Sequence, residues 1–362
     1  MGRHTSCTLS TENLRHNVAA IRAATPRAKI MAMVKANAYG HGLRSVGQRL
    51  DGHVDALGVA SIDEAVALRQ AGVKSPIVLI EGVFTPEELA AAAAENFHVV
   101  FHAPIQLQWL AEHPPSAKLV AWLKVDTGMG RLGFAPEDAP LALRALENSS
   151  SVQQPVGLMS HFACADTPEH PLNLRQIAAF RRLAEKHSGA KSIANSAALL
   201  AFPDQHDDWV RPGLALYGAS PLAGRTAESL GLRPVMTLHT RLIAVKTLKQ
   251  GESVGYGARF VCPEDMPVGV MAIGYGDGYP RTARDGTSVR VGETLCPLIG
   301  RVSMDMAAID LRLCPDAAVG AEVVLWGEGL PVEAVAATTE CCAYDLLTGV
   351  QNRVKFFWSD AN

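Results

Sequence analysis

The sequence has 362 residues, 48% hydrophobic and 19% charged, which is ample material for one large or two ordinary globular domains. Lys plus Arg number 33 against 36 Asp plus Glu, and the net charge of −3 argues against a chain-wide basic surface for nucleic acid. No apolar run approaches the roughly 18 residues of a membrane helix, Met1–Ser10 has no signal-peptide hydrophobic region, and the seven cysteines lack CxxC spacing, so a cytoplasmic protein with reduced thiols is expected.

From Lys29 to about Tyr217, short apolar runs alternate with longer amphipathic stretches. The runs are Ile30–Val34, Ala56–Ala60, Ile77–Ile80, His98–His102, Leu119–Val125, Val156–Ser160, Ser192–Asn195 and Val210–Leu216. Ser61–Ala71, Thr85–Asn96 and Leu172–His187 read as helices between them. Thr85-Pro86-Glu87-Glu88 has the form of an N-cap, a proline at the first helical position and acids in the first turn. Eight strand candidates with interposed helices fit a closed (β/α)8 barrel of the TIM type over residues 1–232. The first strand residues are left open to pairing with the second domain.

After about Leu232 the texture changes. Thr237–Lys246, Pro267–Ile273, Val289–Val291, Ala307–Leu311 and Glu322–Trp326 read as strands in a glycine-punctuated stretch. A mostly-β C-terminal domain over 233–362 is expected, with one late helix around Val332–Leu347.

Val34-Lys35-Ala36-Asn37-Ala38-Tyr39-Gly40-His41-Gly42 places a lysine at the C-terminal end of the first barrel strand, where barrel enzymes keep their active sites. A lysine desolvated among apolar strand residues becomes a nucleophile suited to Schiff-base chemistry. On position alone, the plainer reading is a strand-end lysine reaching solvent. Gly40 and Gly42 suggest a tight turn that brings backbone and the Tyr39 phenol towards a ligand.

Val34–Gly42 resembles the pyridoxal-phosphate lysine motif of bacterial alanine racemases. Lys124-Val125-Asp126-Thr127-Gly128-Met129-Gly130-Arg131-Leu132-Gly133 is similar to that family's signature after the fifth strand. Ser160-His161-Phe162, Asn195-Ser196, Arg211-Pro212-Gly213 and Gly255-Tyr256-Gly257 match further motifs in order. So do Ile273–Gly278, Gly300-Arg301-Val302-Ser303-Met304-Asp305 and Tyr344. Where the family ends on an Arg-Val-Pro-Arg run, this chain reads Arg353-Val354-Lys355-Phe356.

The resemblance implies a racemase interconverting L- and D-alanine by two bases through a pyridoxal 5'-phosphate aldimine, working as a homodimer with shared active sites. It makes Lys35 the cofactor anchor and one base, and Tyr256 of the other subunit the second base. Tyr256 would be backed by a relay of His161 and Arg211. An arginine on the pyridine nitrogen is a poor proton source, so the nitrogen stays largely neutral and transamination is suppressed. Ser196, Gly213 and Leu214 would hold the phosphate, with Tyr39 and Tyr344 completing the shell. Arg131 would face the cofactor's phenolic oxygen and the substrate carboxylate. The Met304 backbone N–H is a second carboxylate donor, and Tyr275 and Arg301 line an access passage. The resemblance also implies that Lys124 is carbamylated, as relatives with lysine at the matching position often are. The physical reason is that two unit cations at 4 Å repel by about 4 kcal/mol at an effective dielectric of 20, and a carbamate turns Arg131 from a rival into a partner. Its alternative is an unmodified lysine turned to solvent or paired with an acid.

The D-alanine would serve peptidoglycan or be consumed in catabolism. A serine or broad-specificity racemase and a single-barrel pyridoxal-phosphate homeostasis protein are the rivals. Tyr344 favours alanine over larger side chains, and the second domain argues against the homeostasis protein. His161, Cys164, Asp166 and His170 have no zinc spacing, so no metal is expected. Neither a nucleic-acid nor a membrane partner is expected.

Overall fold

The structure, a computed structural model, describes residues 4–359; the first three residues of the N-terminal stretch and the last three of the C-terminal domain lie outside the described residues. The chain divides into two compact units. One comprises Val18–Leu216 with Pro221–Arg225, and the other gathers the chain up to Asn17, Tyr217–Ser220 and the chain from Thr226 onward. Strand β1 (Ser6–Ser10) therefore goes with the second unit.

The larger unit is a (β/α)8 barrel. Its strands are β2 (Lys29–Met33), β3 (Ala56–Val59), β4 (Ile77–Leu79), β5 (His98–Phe101), β6 (Leu119–Lys124), β7 (Val152–Met159), β8 (Lys191–Ser192) and β9 (Trp209–Val210). They run parallel in the order β9-β2-β3-β4-β5-β6-β7-β8. Beyond β8 and β9 the seam closes through a parallel bridge, Asn195 to Arg211, where the Arg211 amide donates to the Ala194 carbonyl at 2.9 Å. Met31, Met33, Ala56, Val78, Ile80, Val100, Trp122 and Met159 pack together as side chains from successive strands, which fills the barrel rather than leaving a pore. Trp122 meets Trp209 edge to face at 6.1 Å. Gly157 makes room for it, since a Cβ there would lie 2.3 Å from the Trp122 ring.

Two predicted strands are far shorter than expected. Ser192–Asn195 is regular only at Lys191–Ser192, and Val210–Leu216 only at Trp209–Val210. Pro212 offers no N–H to a ladder, and the chain turns into a 3-10 segment at Leu214–Tyr217. The predicted cap at Thr85 is in place, extended at φ −143° before Pro86–Ala94. Its hydroxyl serves the Glu87 carboxylate instead of a backbone amide.

The second unit is mostly β. Its further strands are β10 (Met236–Leu248), β11 (Ser253–Val254), β12 (Phe260–Val261), β13 (Met266–Met271), β14 (Ser288–Val291), β15 (Thr294–Ile299), β16 (Ala307–Asp310), β17 (Glu322–Trp326) and β18 (Lys355–Ser359). The sheet order is β13-β16-β15-β14-β17-β10-β1-β18, and β10 also pairs with β13. At 13 residues β10 is long enough to do both: Met236–Arg241 serves β1 and β17, and Leu242–Leu248 serves β13 across a bulge between Leu242 and Ala244. β1 runs antiparallel to β10 and parallel to β18, with Cys7 opposite Leu238 and Phe356.

The single late helix expected over Val332–Leu347 is two short ones, Val332–Ala336 and Ala343–Thr348. The intervening Thr338, Thr339, Cys341 and Cys342 are weak helix formers, and Cys342 adopts an extended cap whose amide donates to Asp345 at 2.9 Å. All seven cysteines are free thiols. Among the described residues, no helix is long and apolar enough to cross a membrane.

Candidate active site

β2 delivers Lys35 two residues past its end. Met33 donates to the Pro212 carbonyl and Val34 to that of Gly58, each at 2.9 Å, so the strand tip is held on both sides. The next four residues, Ala36, Asn37, Ala38 and Tyr39, all lie in the left-handed region, with φ between 52° and 54°. None is a glycine, and each such residue costs roughly 1–2 kcal/mol. The strain is offset by local bonds. Glu64 accepts the Ala36 amide at 2.8 Å, the Asn37 side chain accepts the Leu43 amide at 2.9 Å, and Ala38 donates to Val34 at 2.8 Å. Buried His41 closes the turn through Nδ1, within 2.9 Å of the Tyr39 carbonyl, and burial pushes its pKa down to about 4.

This left-handed turn swings Tyr39 back across the barrel mouth to Gly213. A Cβ at Gly213 would lie 2.2 Å from the Tyr39 hydroxyl, so only glycine fits under the phenol. The Ser196 hydroxyl accepts the Gly213 amide at 2.7 Å and the Ala215 amide at 3.3 Å. Asn195 caps the short helix Ser196–Ala201, its side chain accepting from Ala198 at 2.9 Å. Ser196, Gly213, Leu214 and Tyr39 thus form one small cluster of hydroxyls and backbone N–H groups.

Arg211 is buried beside it. Its guanidinium donates to the Ser192 hydroxyl at 2.5 Å, to the Ser160 and Ile193 carbonyls, and to His161 Nδ1 at 3.2 Å. A guanidinium can only donate, so Nδ1 accepts and the His161 proton sits on Nε2. Burial, and then the cations Arg211, Lys124, Arg131 and Lys35, hold His161 well below the usual imidazole range and therefore neutral.

Lys124 ends β6 and is buried, not turned to solvent. Burial and the charges of Arg211, Arg131 and Lys35 push its pKa down to about 8, against a smaller opposing pull from Glu81. Arg131 stands on a loop wound around Asp126. That carboxylate accepts amides from Gly128 at 2.9 Å, Met129 at 2.8 Å and Arg131 at 3.1 Å. Partial burial opposes its charge, yet the ring of amides keeps it below the usual carboxylate range.

Lys35 is half-buried rather than fully desolvated, and its Nζ pairs with Glu81 Oε1 at 3.1 Å. Sequence reasoning missed Glu81, although it follows β4 as Lys35 follows β2 and the same barrel rule would have found it. Ser192 was passed over at the tip of β8 in the same way. The roles of Glu64 and Asp126 as carboxylates that tie down loops had no sequence signal.

The remaining predicted site residues lie in the β unit. Tyr256 sits between Gly255 and Gly257 in the loop joining β11 and β12, and it is 71% exposed. Tyr275 lies after β13, Met304 between β15 and β16, and Tyr344 in helix Ala343–Thr348; all three are exposed. Arg301 follows Gly300 in the loop after β15, its backbone 3.5 Å from where a Cβ on Gly255 would stand. Among the described residues, no group of three or more His, Cys, Asp or Glu side chains is arranged to hold a metal ion.

Lys35, Lys124, Arg131 and Arg211 gather around His161 in the barrel, and comparison with known proteins gives the family. The profile described as "Alanine racemase, N-terminal domain" matches residues 9–221, and "Alanine racemase, C-terminal domain" matches 235–358. Alanine racemase of Coxiella burnetii is 46% identical over 361 residues, covering 98% of this chain and 99% of the relative. Alanine racemase of Nitrosococcus oceani is 50% identical over 341 residues, covering 94% and 95%. The crystal structure of the biosynthetic alanine racemase from Pseudomonas aeruginosa superposes with a TM-score of 0.96 at 41% identity, covering 99% of this chain and all of that one. The chain belongs to the alanine racemase family, and with it to the isomerases that act on amino acids.

Proposed function

We propose that this protein interconverts L- and D-alanine with pyridoxal 5'-phosphate, as a cytoplasmic homodimer whose two active sites each draw on both subunits. The observation that carries the reading is the convergence, at one end of the barrel, of Lys35, the Tyr39–Gly213–Ser196 cluster and the Arg211–His161 pair.

The cofactor fits the residues present. A cluster of hydroxyls and N–H groups built over a position that admits no Cβ suits a phosphate dianion, and Leu214 follows it in the chain. A buried guanidinium suits the pyridine nitrogen, and a strand-end amine suits the aldehyde carbon. When bound, the group supplies the electron sink that lets an amino acid lose its Cα proton.

The chain's own residues do the rest. Lys35 Nζ takes or returns the proton on one face of the substrate. The Tyr256 hydroxyl does so on the other, its exposure in this chain matching a residue delivered to a second copy. Arg211 occupies His161 Nδ1, which leaves Nε2–H as the imidazole's donor for that tyrosine oxygen. Arg131 and the Met304 N–H hold the substrate carboxylate, while Tyr275 and Arg301 line the way in. Lys124, with its lowered pKa beside Arg131 and Arg211, is the carbamylated residue that orders Arg131. The product D-isomer would feed peptidoglycan synthesis, or the reverse flux alanine catabolism.

The test is chiral analysis of alanine incubated with the protein, together with the visible absorbance of bound cofactor and its fixation to the Lys35 peptide by borohydride. Racemisation by the untreated protein, its loss after borohydride, and label on Lys35 are expected. A protein that takes up no cofactor and leaves L-alanine unchanged would overturn the reading.

A further inference from the structure

In the β unit, three segments far apart in sequence meet at one side chain. Arg353 stands between helix Ala343–Thr348 and β18. Its Nε lies 2.7 Å from Asp277 Oδ1, and its Nη2 donates to Asp305 Oδ1. Asp277 is fully buried; its other oxygen accepts the Gly274 amide at 2.9 Å, and its carbonyl accepts Gln351 N–H at 3.0 Å. Asp305 directly follows Met304. The two loops so bridged already touch backbone to backbone, with Tyr275 N–H on the Ser303 carbonyl at 3.0 Å and Gly276 N–H on that of Met304 at 2.8 Å. A Cβ on Gly274 would stand 2.2 Å from the Ser303 carbonyl oxygen, and one on Gly276 2.9 Å from Arg353 Nη1. Both glycines therefore leave only enough room for the neighbouring chain and the guanidinium.

Of the three side chains only Asp277 is buried, and ion pairs made by a guanidinium as exposed as that of Arg353 add little stability. What they do is hold geometry. We propose that Arg353 is a positioning residue for the reaction: bound at once to Asp277 and Asp305, it holds the Met304 loop against the Tyr275 loop and so fixes the Met304 N–H for the substrate carboxylate. This rests on the reading above that Met304 and Tyr275 serve the substrate. A guanidinium presents N–H groups in a rigid plane and can address two carboxylates in different directions, whereas a lysine offers a point charge on a flexible stem. Because the carboxylate is unchanged through proton transfer, its grip is equal in ground and transition states, and loosening it raises KM while leaving kcat nearly alone.

The experiment measures kcat, KM for L-alanine, cofactor absorbance and Tm for the holoenzyme and for Arg353→Gln, Arg353→Lys, Asp305→Asn and the Arg353→Gln/Asp305→Asn double variant. Expected is a KM about tenfold higher in Arg353→Gln, with kcat within about threefold and cofactor absorbance unchanged. Arg353→Lys should recover part of the loss. Asp305→Asn, which breaks only one of the two contacts, should raise KM in the same direction but by less than Arg353→Gln, and the double variant should be no worse than Arg353→Gln alone. A wild-type KM in folded Arg353→Gln, or activity lost only in proportion to unfolded protein, overturns the proposal. A wild-type enzyme inactive on alanine takes it down with the reading beneath it; an active wild type with unaltered KM in the variants overturns the clamp alone.

Discussion

Lys124 invites a direct chemical test. Carbon dioxide adds to a neutral amine, forming an N–C bond and releasing one proton, so a carbamate requires the unprotonated lysine. With its pKa at about 8, about one Lys124 amine in five is neutral at pH 7.4, against about one in a thousand for an ordinary lysine near 10.4. That is a roughly two-hundred-fold advantage over surface lysines in any competition for carbon dioxide. The reaction also replaces a cation among Arg131, Arg211 and Lys35 with an anion, and a carbamate beside Arg131 accepts charge-assisted hydrogen bonds. Protein equilibrated with 13C-bicarbonate should show a carbamate carbon resonance that strengthens from pH 6.5 to 8 and, unlike any from a chain α-amine, is missing from Lys124→Ala. That variant should lose activity through a disordered Arg131, and an added small carboxylate should restore part of it. Absence of the resonance from wild-type protein at pH 8 under saturating bicarbonate would refute the reasoning, because burial and three neighbouring cations would then have failed to expose a reactive amine.

Lys35→Ala should abolish racemisation in both directions by more than the roughly 10²–10⁴-fold of lost acid–base catalysis, since the anchor goes with the base; retention of a tenth of wild-type turnover would show the lysine misassigned. Tyr256→Phe should keep cofactor yet fail to racemise, and mixing it with Lys35→Ala subunits should restore activity if sites are shared between copies. Gly213→Ala should weaken cofactor retention far more than stability, because the new methyl displaces the Tyr39 hydroxyl; unchanged affinity by absorbance titration would contradict the cradle. Burial lowers His41 in the folded state to about 4 from its ordinary 6.5, so between those values the unfolded chain binds more protons and stability falls as pH drops through that window. Calorimetry should find a shallower acid decline in His41→Gln, and identical declines would count against the buried neutral imidazole.

Some of this molecule is written locally. The barrel's apolar runs mark where six of its eight strands lie, because a parallel strand covered on both faces must be apolar throughout, and Glu322–Trp326 in the β unit coincides with its strand. Lys35, Arg131, His161, Ser196, Arg211 and Gly213 could be singled out as candidates because each stands in a short motif resembling one of the family's. Other features exist only in three dimensions. Nothing in Ala36–Tyr39 announces four left-handed residues; neighbouring His41 and Glu64, the latter brought in by the fold, hold them there. The pairing of Lys35 with Glu81 joins residues 46 positions apart, and that of Arg353 with Asp305 joins residues 48 apart. Periodicity reports which face of a segment is buried, but it is blind to which distant charge will face it. The lowered pKa of Lys124 is the plainest case: the lysine is one letter in the sequence, and its chemistry comes from a burial and three cations that only folding assembles.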